Sequence, residues 1–253
     1  MVNLETEEVN TLLRVDGGPE QNGWLHHANW SPDGSQIVFE KDGPTVNQDA
    51  LKQGIWIMDV VTGDTRLLSE KERAPLWSST GEHIFVTSPT SIDQLDAATG
   101  NPIASYPVRP EEGDYLVGFY LTRSADDRSF AVEVGPRNEQ GVYTATNNHI
   151  YVLNTESGDT HFFDTMLGFN ATWSPNGDVL AFVAILESDN SKGLYLANAD
   201  GTCITQVLDA PVAIPAWSHD GNRIAFTYQG RVHLLDVVEV VGERALQDRL
   251  VCQ

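Results

Sequence analysis

One phrase recurs along this chain of 253 residues and limits its possible folds more than any other feature. The stretch WSPDGSQIVFE at 30–40 returns as WSPNGDVLAFV at 173–183 and as WSHDGNRIAFT at 217–227, with looser copies that begin at 77 and 123. The first residues of successive copies are 44 to 50 positions apart, and an apolar residue always follows seven positions later. Because equivalent residues lie at the same distance from the first residue in all five copies, the sequence contains an internal repeat.

The residues that open and turn each copy have an architectural interpretation. A tryptophan ends one strand and packs its ring between neighbouring sheets, while glycine adopts the positive φ that closes a tight turn. We therefore expect the tryptophans to occupy equivalent, buried sites. The repeat anchors are Trp30, Trp77, Trp173 and Trp217, with Gly34, Gly177 and Gly221 in the turns. In the third copy Arg123 replaces the aromatic residue, so we expect the fold to depart from the pattern there.

Each copy continues into two further predicted strands. Apolar and polar residues alternate in GIWIMDV at 54–60, HIYVLNT at 149–155 and RVHLLDV at 231–237. Short turns such as TGD at 62–64 and SGD at 157–159 lead into a fourth strand. Helical periodicity is nearly absent. Four antiparallel strands repeated at this spacing are typical of β-propeller blades, so the predicted fold class is all-β.

The repeat predicts a single β-propeller domain with five blades. The units cover about 28–70, 74–108, 116–164, 170–209 and 213–238. Residues 10–15 resemble the fourth strand of a unit, but the first three strands of that unit are not present before them. We therefore expect them to complete the last blade and remove an exposed edge. The tail at 239–253 is an alternative source of that strand. In that case the chain is part of a six- or seven-bladed ring.

The phrase Trp-Ser-Pro-Asp-Gly, followed by an Ile-Ala-Phe strand, resembles the repeat of the TolB-type, WD40-like β-propeller family. The resemblance covers roughly 28–238 and is most specific in the first, fourth and fifth copies. It implies a scaffold that binds protein or peptide partners at its rim or channel.

Charge argues against two classes of partner. The chain has 15 basic and 36 acidic residues, and its formal net charge is −21. Such a surface repels a phosphate backbone and an anionic membrane, so we expect neither nucleic acid nor membrane as a main partner. No apolar run approaches the roughly 20 residues of a membrane span. The start, MVNLETEEVNTLL, lacks a signal-peptide pattern, which predicts a cytoplasmic protein, or an exported one from which a signal was removed.

The two cysteines, Cys203 and Cys252, match neither a metal-site spacing nor a redox motif. Cys203 lies in an apolar–polar alternation and is expected to be an ordinary buried thiol. A disulfide with Cys252 stays open, because sequence does not supply the geometry that such a bond needs. No metal ion or other cofactor is predicted.

Connections of unequal length predict which face binds a partner. The loops between the second and third strands span 40–54, 134–148 and 185–193, and they vary widely in length and composition. Variation confined to one face of a propeller marks a binding face. The turns at the opposite face, which contain Asp64 and Asp159, are short, and we expect them to take no part in binding.

The residues that enter the innermost strands are the candidate site on the loop-rich face. Aromatic groups mixed with a few charges suit a small polar ligand or a peptide. These residues are Trp24, His26, His27, Glu72, Arg73, Asp114, Tyr115, Phe169, Asn170 and Asp209. A structural role is the alternative for each of them. Both histidines are also compatible with half-exposed strand positions, and Arg73 with pairing to a neighbouring acid.

Three functions stay open. A non-catalytic binding scaffold is favoured, because no nucleophile–base pair, phosphate loop or metal-ligand spacing stands out. A glycoside hydrolase or lyase would use Glu72, Asp114 and Asp209, with carboxyl groups about 5–5.5 Å or about 6.5–9.5 Å apart. A sensor or gating domain of a larger protein, like the propeller of prolyl-oligopeptidase-type peptidases, is the third possibility.

Overall fold

The structure is a computed structural model, and it describes residues 11–13, 23–43, 51–70, 73–109, 115–137, 139, 147–163, 166–186 and 191–241. Within these residues β-strands dominate, and the helix that occurs is five residues long. The strands form five antiparallel sheets in which neighbours along the chain are neighbours in the sheet. The predicted fold class is confirmed: the protein is an all-β propeller with these five sheets as its blades.

The first two blades belong to one compact unit, which comprises Met1–Ser88 and Ile92–Ser105. Blade one contains β1 (Trp24–Trp30), β2 (Gln36–Asp42), β3 (Gly54–Asp59) and β4 (Thr65–Ser69). Blade two contains β5 (Arg73–Trp77), β6 (His83–Ser88), β7 (Ser91–Asp96) and β8 (Pro102–Pro107). In each sheet the first strand along the chain is at one edge and the fourth at the other.

The other three blades belong to a second compact unit, which comprises Pro89–Ser91 and Tyr106–Gln253. Blade three contains β9 (Tyr115–Arg123), β10 (Ser129–Pro136), β11 (His149–Asn154) and β12 (Thr160–Phe162). Blade four contains β13 (Met166–Trp173), β14 (Val179–Leu186), β15 (Lys192–Asn198) and β16 (Thr205–Asp209). Blade five contains β17 (Ala213–Trp217), β18 (Arg223–Tyr228) and β19 (Arg231–Asp236), and helix α1 (Val237–Val241) follows.

The serine after each anchor builds the turn between the first and second strands. In blade one the Ser31 hydroxyl donates to Asp33 Oδ1 at 2.6 Å and accepts the N–H of Gln36 at 2.9 Å. Equivalent pairs of bonds form around Ser124, Ser174 and Ser218. The hydrogen bond from Ser31 lowers the pKa of Asp33 to about 2, and the bond from Ser218 does the same for Asp220. The polar residues of the phrase therefore have a structural role.

The tryptophan anchors do not share one environment. Trp77 and Trp173 are 3% and 6% exposed, and each packs with apolar residues of the preceding blade. Trp217 is partly buried, and its Nε1 donates to the carbonyl oxygen of Thr172 at 3.2 Å. Trp30 is 47% exposed, so the prediction of equivalent, buried anchors is wrong for this residue.

The third copy forms the same turn with different residues. Arg123 contacts Asp127 through a 2.8 Å ion pair, and both side chains are largely buried. Asp127 adopts a φ of 61°, close to the 78° of Gly177 at the equivalent position. Because Arg123 also pairs in register with Phe130, the expectation that the fold departs locally from the repeat is wrong. An ion pair here replaces the tryptophan and glycine of the other blades.

Blade five has three strands in the described part of the chain. The outer strand β19 exposes Val232 to 72% and Leu234 to 65%. Residues 11–13 belong to no strand, and the two leucines among them pack against apolar residues of blade one. The rest of 10–15 and most of the tail at 239–253 lie outside the described residues. The closing strand therefore stays a prediction.

Cys203 is disulfide-bonded, so the expectation of an ordinary thiol is wrong. The other cysteine of the sequence, Cys252, lies outside the described residues. Cys203 has a φ of 55° and lies two residues before β16, so the apolar–polar alternation around it does not mark a strand position. A disulfide also depends on a second cysteine outside this segment. Local pattern carries no information about such a bond.

Candidate functional site

A β-bulge interrupts the innermost strand of every blade. In blades one, two, four and five the register shifts between the fourth and the first residue before the anchor. In blade three the shift begins earlier, between Val117 and Leu121. Four residues three positions before their anchors have positive φ, namely His27 (52°), Ala74 (47°), Asn170 (54°) and Ile214 (53°). Such a backbone costs of order 1–3 kcal/mol per residue and persists only where neighbouring groups hold it. Bulges of this kind re-aim side chains next to binding sites.

A buried carboxylate holds the bulge in the first unit. Glu40 lies on β2, is 4% exposed, and accepts the Ala74 N–H at 3.0 Å through Oε2. The same oxygen lies 3.1 Å from His27 Nδ1. Burial alone would raise the pKa of Glu40, but the bonds from His27 and from the Ala74 N–H outweigh it. With a further contribution from the charge of Arg73, the pKa is lowered from its usual value.

The second unit repeats this arrangement. Glu133 lies ten positions after its anchor, as Glu40 does, and is 5% exposed. Its Oε1 accepts the N–H of Asn170 at 2.9 Å, and its Oε2 accepts the Asn148 side-chain amide at 3.1 Å. In both units, then, a carboxylate on the second strand of one blade fixes a strained N–H in the next blade.

The equivalent positions in the other blades lack a carboxylate. Thr87 Oγ1 donates to the Arg73 carbonyl oxygen at 3.3 Å, and Thr227 Oγ1 donates to the Ala213 carbonyl oxygen at 3.0 Å. Blade four has Val183 there. Our sequence interpretation missed Glu40 and Glu133. The available signal was that both acids lie ten positions after their anchors, within a strand that is otherwise mostly apolar.

Four predicted site residues lie together in the first unit. Trp24 is 57% exposed at the start of β1, and its ring centroid is 6.3 Å from that of His26. The rings of His26 and His27 are 5.8 Å apart. Arg73 opens β5 immediately before Ala74, which Glu40 binds. Another predicted residue, Glu72, lies outside the described residues.

The predicted site residues of the second unit have more varied positions. The Tyr115 ring packs edge-on against His149 at 5.7 Å and against Phe162 at 5.3 Å. Phe169 packs against the apolar cluster of blades four and five, and Asn170 forms the bulge. Asp209 is exposed at the end of β16, the outermost strand of its blade. Asp114 lies outside the described residues.

The metal and sugar-cleaving sites considered from the sequence can be compared with the described residues. Across the described ranges, no group of three or more His, Cys, Asp or Glu side chains is placed to hold a metal ion. Of the three acids considered for sugar cleavage, only Asp209 is among the described residues. No helix in the described part of the chain has the length and apolar character of a membrane span.

No family model and no curated protein matches the sequence. Among solved structures, an oligogalacturonate lyase in complex with manganese aligns with a TM-score of 0.63 at 16% identity, over 83% of this chain and 62% of that one. The structure of a putative TolB from Agrobacterium tumefaciens aligns with a TM-score of 0.61 at 16% identity, over 93% and 83% of the two chains. TolB from Acinetobacter baumannii gives 0.57 at 16% identity, over 84% and 51%.

These similarities confirm the TolB-type resemblance at the level of the fold. Identities of 16% show a shared fold alone. The chain spans 62% of the length of the lyase and 51% of the length of the A. baumannii protein.

Proposed function

We propose that this protein is a non-catalytic scaffold that binds a protein or peptide partner. The proposed contact is the surface where β1 and β5 begin, formed by Trp24, His26, His27 and Arg73, which we call the β1–β5 surface. The observation that carries the proposal is the buried Glu40 carboxylate, which holds two strained strand positions directly beside these residues. A surface fixed in this way loses little conformational entropy when a partner binds.

The composition of the β1–β5 surface suits a protein partner. Tryptophan and arginine are enriched among the residues that contribute most to binding at protein interfaces. Trp24 offers a large ring that is 57% exposed, next to the exposed imidazole of His26. Scattered exposed apolar residues are common, but an exposed indole beside an arginine and two histidines supplies both apolar area and directional hydrogen bonds.

Net charge indicates which partners are favoured. A chain with a net charge of −21 attracts basic segments and repels acidic ones. We therefore expect a peptide or protein region that carries Lys or Arg around an apolar residue that packs on Trp24. The fold shared with two TolB structures is compatible with such a role, and the contact itself is our proposal.

The test begins with a phage-displayed peptide library selected against the full chain. Affinity for a selected peptide is then measured by calorimetry for the wild type and for a Trp24→Ala, Arg73→Ala double variant. We expect at least a tenfold loss of affinity, with a melting temperature within a few degrees of wild type. We prefer Trp24 to Tyr115 here because the Tyr115 ring packs on two other side chains and its loss would disturb blade three.

A matched control and an opposing result complete the experiment. Asp64→Asn, in the exposed turn before β4, should leave affinity unchanged. Equal binding by the double variant would contradict the β1–β5 surface as the contact. Degradation of oligogalacturonate that stops when Glu72, Asp114 or Asp209 is replaced would contradict the non-catalytic role and support the lyase alternative.

A further inference from the structure

A cleft of about 390 Å³ lies in the second unit, at the ends of the strands that carry the short turns. Its walls come from the turn and outer strands of blade three, with Asn154, Asp159, Thr160 and His161, and from the turn after β15, with Asp200. Binding sites for small molecules commonly have volumes of about 300–1,000 Å³. The sequence predicted no ligand at this face, so the cleft is independent of the β1–β5 surface.

The imidazole of His161 is held in a fixed orientation in this cleft. Its ring centroid is 4.7 Å from that of Phe163, and the planes meet at 78°. A Cβ on Gly201 would lie 2.1 Å from His161 Cδ2, so only glycine allows the turn to approach the ring this closely. No hydrogen bond to another described residue engages either ring nitrogen. A positioned imidazole that is not used by the fold is available to a ligand.

The charges of the cleft are negative. Asp159 and Asp200 contribute carboxylates, and no lysine or arginine is among the lining residues. Asp200 accepts the N–H and the hydroxyl of Thr202 at 3.2 and 2.6 Å, which fixes its turn. Asp159 donates its N–H to the Ser157 hydroxyl at 3.2 Å, and this fixes the facing turn. Two turns with internal hydrogen bonds therefore place one aspartate each in the lining of the cleft.

These groups distinguish between classes of ligand. A bare metal ion is disfavoured, because the carboxylates and the imidazole do not form a metal-binding cluster among the described residues. A neutral sugar is disfavoured, because His161 is the aromatic residue of the lining and the Phe163 edge and Gly201 already pack against its ring. An ammonium group, in contrast, pairs with a carboxylate and donates to carbonyl, hydroxyl and imidazole acceptors.

We propose that this cleft binds a small organic amine with two or more ammonium groups, that is, a polyamine. One ammonium contacts Asp159 and a second contacts Asp200, while an ammonium N–H of the same molecule is donated to a ring nitrogen of His161. Because both carboxylates are solvent-exposed, each contact is weak on its own, and the positioned imidazole and the enclosing walls supply the selectivity.

Spermidine is the probe for this proposal. Calorimetry at low salt measures its affinity for the full chain, and the imidazole NMR signals of His161 report whether it binds in the cleft. We expect saturable binding that shifts the His161 signals. Asp159→Asn should weaken binding about two- to fivefold, as expected for one exposed ion pair. His161→Ala should also weaken it, while the melting temperatures of both variants stay near that of wild type.

The control separates the cleft from general attraction to an acidic protein. Asp64→Asn removes one carboxylate from the equivalent turn of blade one, which does not line the cleft. Its affinity for spermidine should equal that of wild type. The proposal is overturned if binding is not saturable, if Asp64→Asn weakens it as much as Asp159→Asn does, or if the His161 signals do not move. The Trp24→Ala, Arg73→Ala variant should bind spermidine normally.

Discussion

The repeats of blades one and four begin with nearly the same sequence, WSPDG and WSPNG. Their tryptophans nevertheless differ in how much they contribute to the stability of the fold. In both blades the serine forms the same turn with the acidic or amide residue two positions later. Trp173 is 6% exposed against the preceding blade, whereas Trp30 is 47% exposed. Ten positions after the anchor, blade one has the buried Glu40 and blade four has Val183. The phrase specifies the turn, and the neighbouring sheets decide how much each residue contributes to stability.

The largest expected difference between the two blades concerns the tryptophans. Trp173→Ala removes a ring packed between two sheets and should lower the free energy of unfolding by about 3–5 kcal/mol. Trp30→Ala removes a half-exposed ring and should cost about 1 kcal/mol or less. Urea denaturation followed by circular dichroism measures both values. Equal losses for the two variants would mean that the anchors contribute alike despite their different burial.

A smaller effect is expected at the tenth position after the anchor. Glu40→Leu leaves the buried Ala74 N–H without its acceptor and should cost about 1–3 kcal/mol. Val183→Thr places a hydroxyl at a buried position of blade four. At the equivalent positions of blades two and five the threonine hydroxyl donates to a strand carbonyl oxygen, so this variant should cost about 1 kcal/mol or less. If Glu40→Leu costs no more than the blade-four control, the carboxylate does not hold the bulge.

The smallest effect is a dependence on pH in the turns. Asp33 has a pKa of about 2 in the folded protein against an ordinary value of 3.8, so the folded state favours its ionised form. Its contribution is present above the unfolded value and is lost as the pH falls from about 4 to about 2. Asp33→Asn gives blade one the amide of Asn176 in blade four, which does not titrate.

The measurement for this third prediction is the urea midpoint of wild type and Asp33→Asn between pH 6 and pH 2. We expect the difference between the two proteins to be constant above pH 5 and to shift in favour of the variant as the pH falls below 4. A difference that is independent of pH would show that the Ser31 bond does not favour the ionised carboxylate.

Most of the fold was predictable because it is encoded locally and repeated. The serine, the turn glycine and the apolar residue at the seventh position each act within one hairpin, so five copies reinforce one another. Trp30 was predicted incorrectly because burial depends on a neighbouring sheet that the phrase itself does not contain. The disulfide at Cys203 stayed open in the sequence analysis for a similar reason, since a local pattern does not supply the geometry of such a bond.

The candidate site was predictable only in part. Trp24, His26 and Arg73 were predicted as site residues from their place near the innermost strands, and the structure places them in the first residues of β1 and β5. Glu40 was not, because its acceptor role depends on a bulge in the following blade, 34 positions away. The polyamine cleft was missed because the short turns that form it look like ordinary hairpin turns in the sequence.

The ion pair between Arg123 and Asp127 has a consequence for how this chain can change. Replacing Arg123 with tryptophan alone removes the cation that Asp127 contacts, and replacing Asp127 with glycine alone removes the anion beside a largely buried guanidinium. We therefore expect each single replacement to be less stable than the wild type, because it leaves one largely buried charge without its partner. We expect the two positions to change together rather than one at a time. Counting repeats by their tryptophan anchors therefore gives four copies, although the structure has five blades.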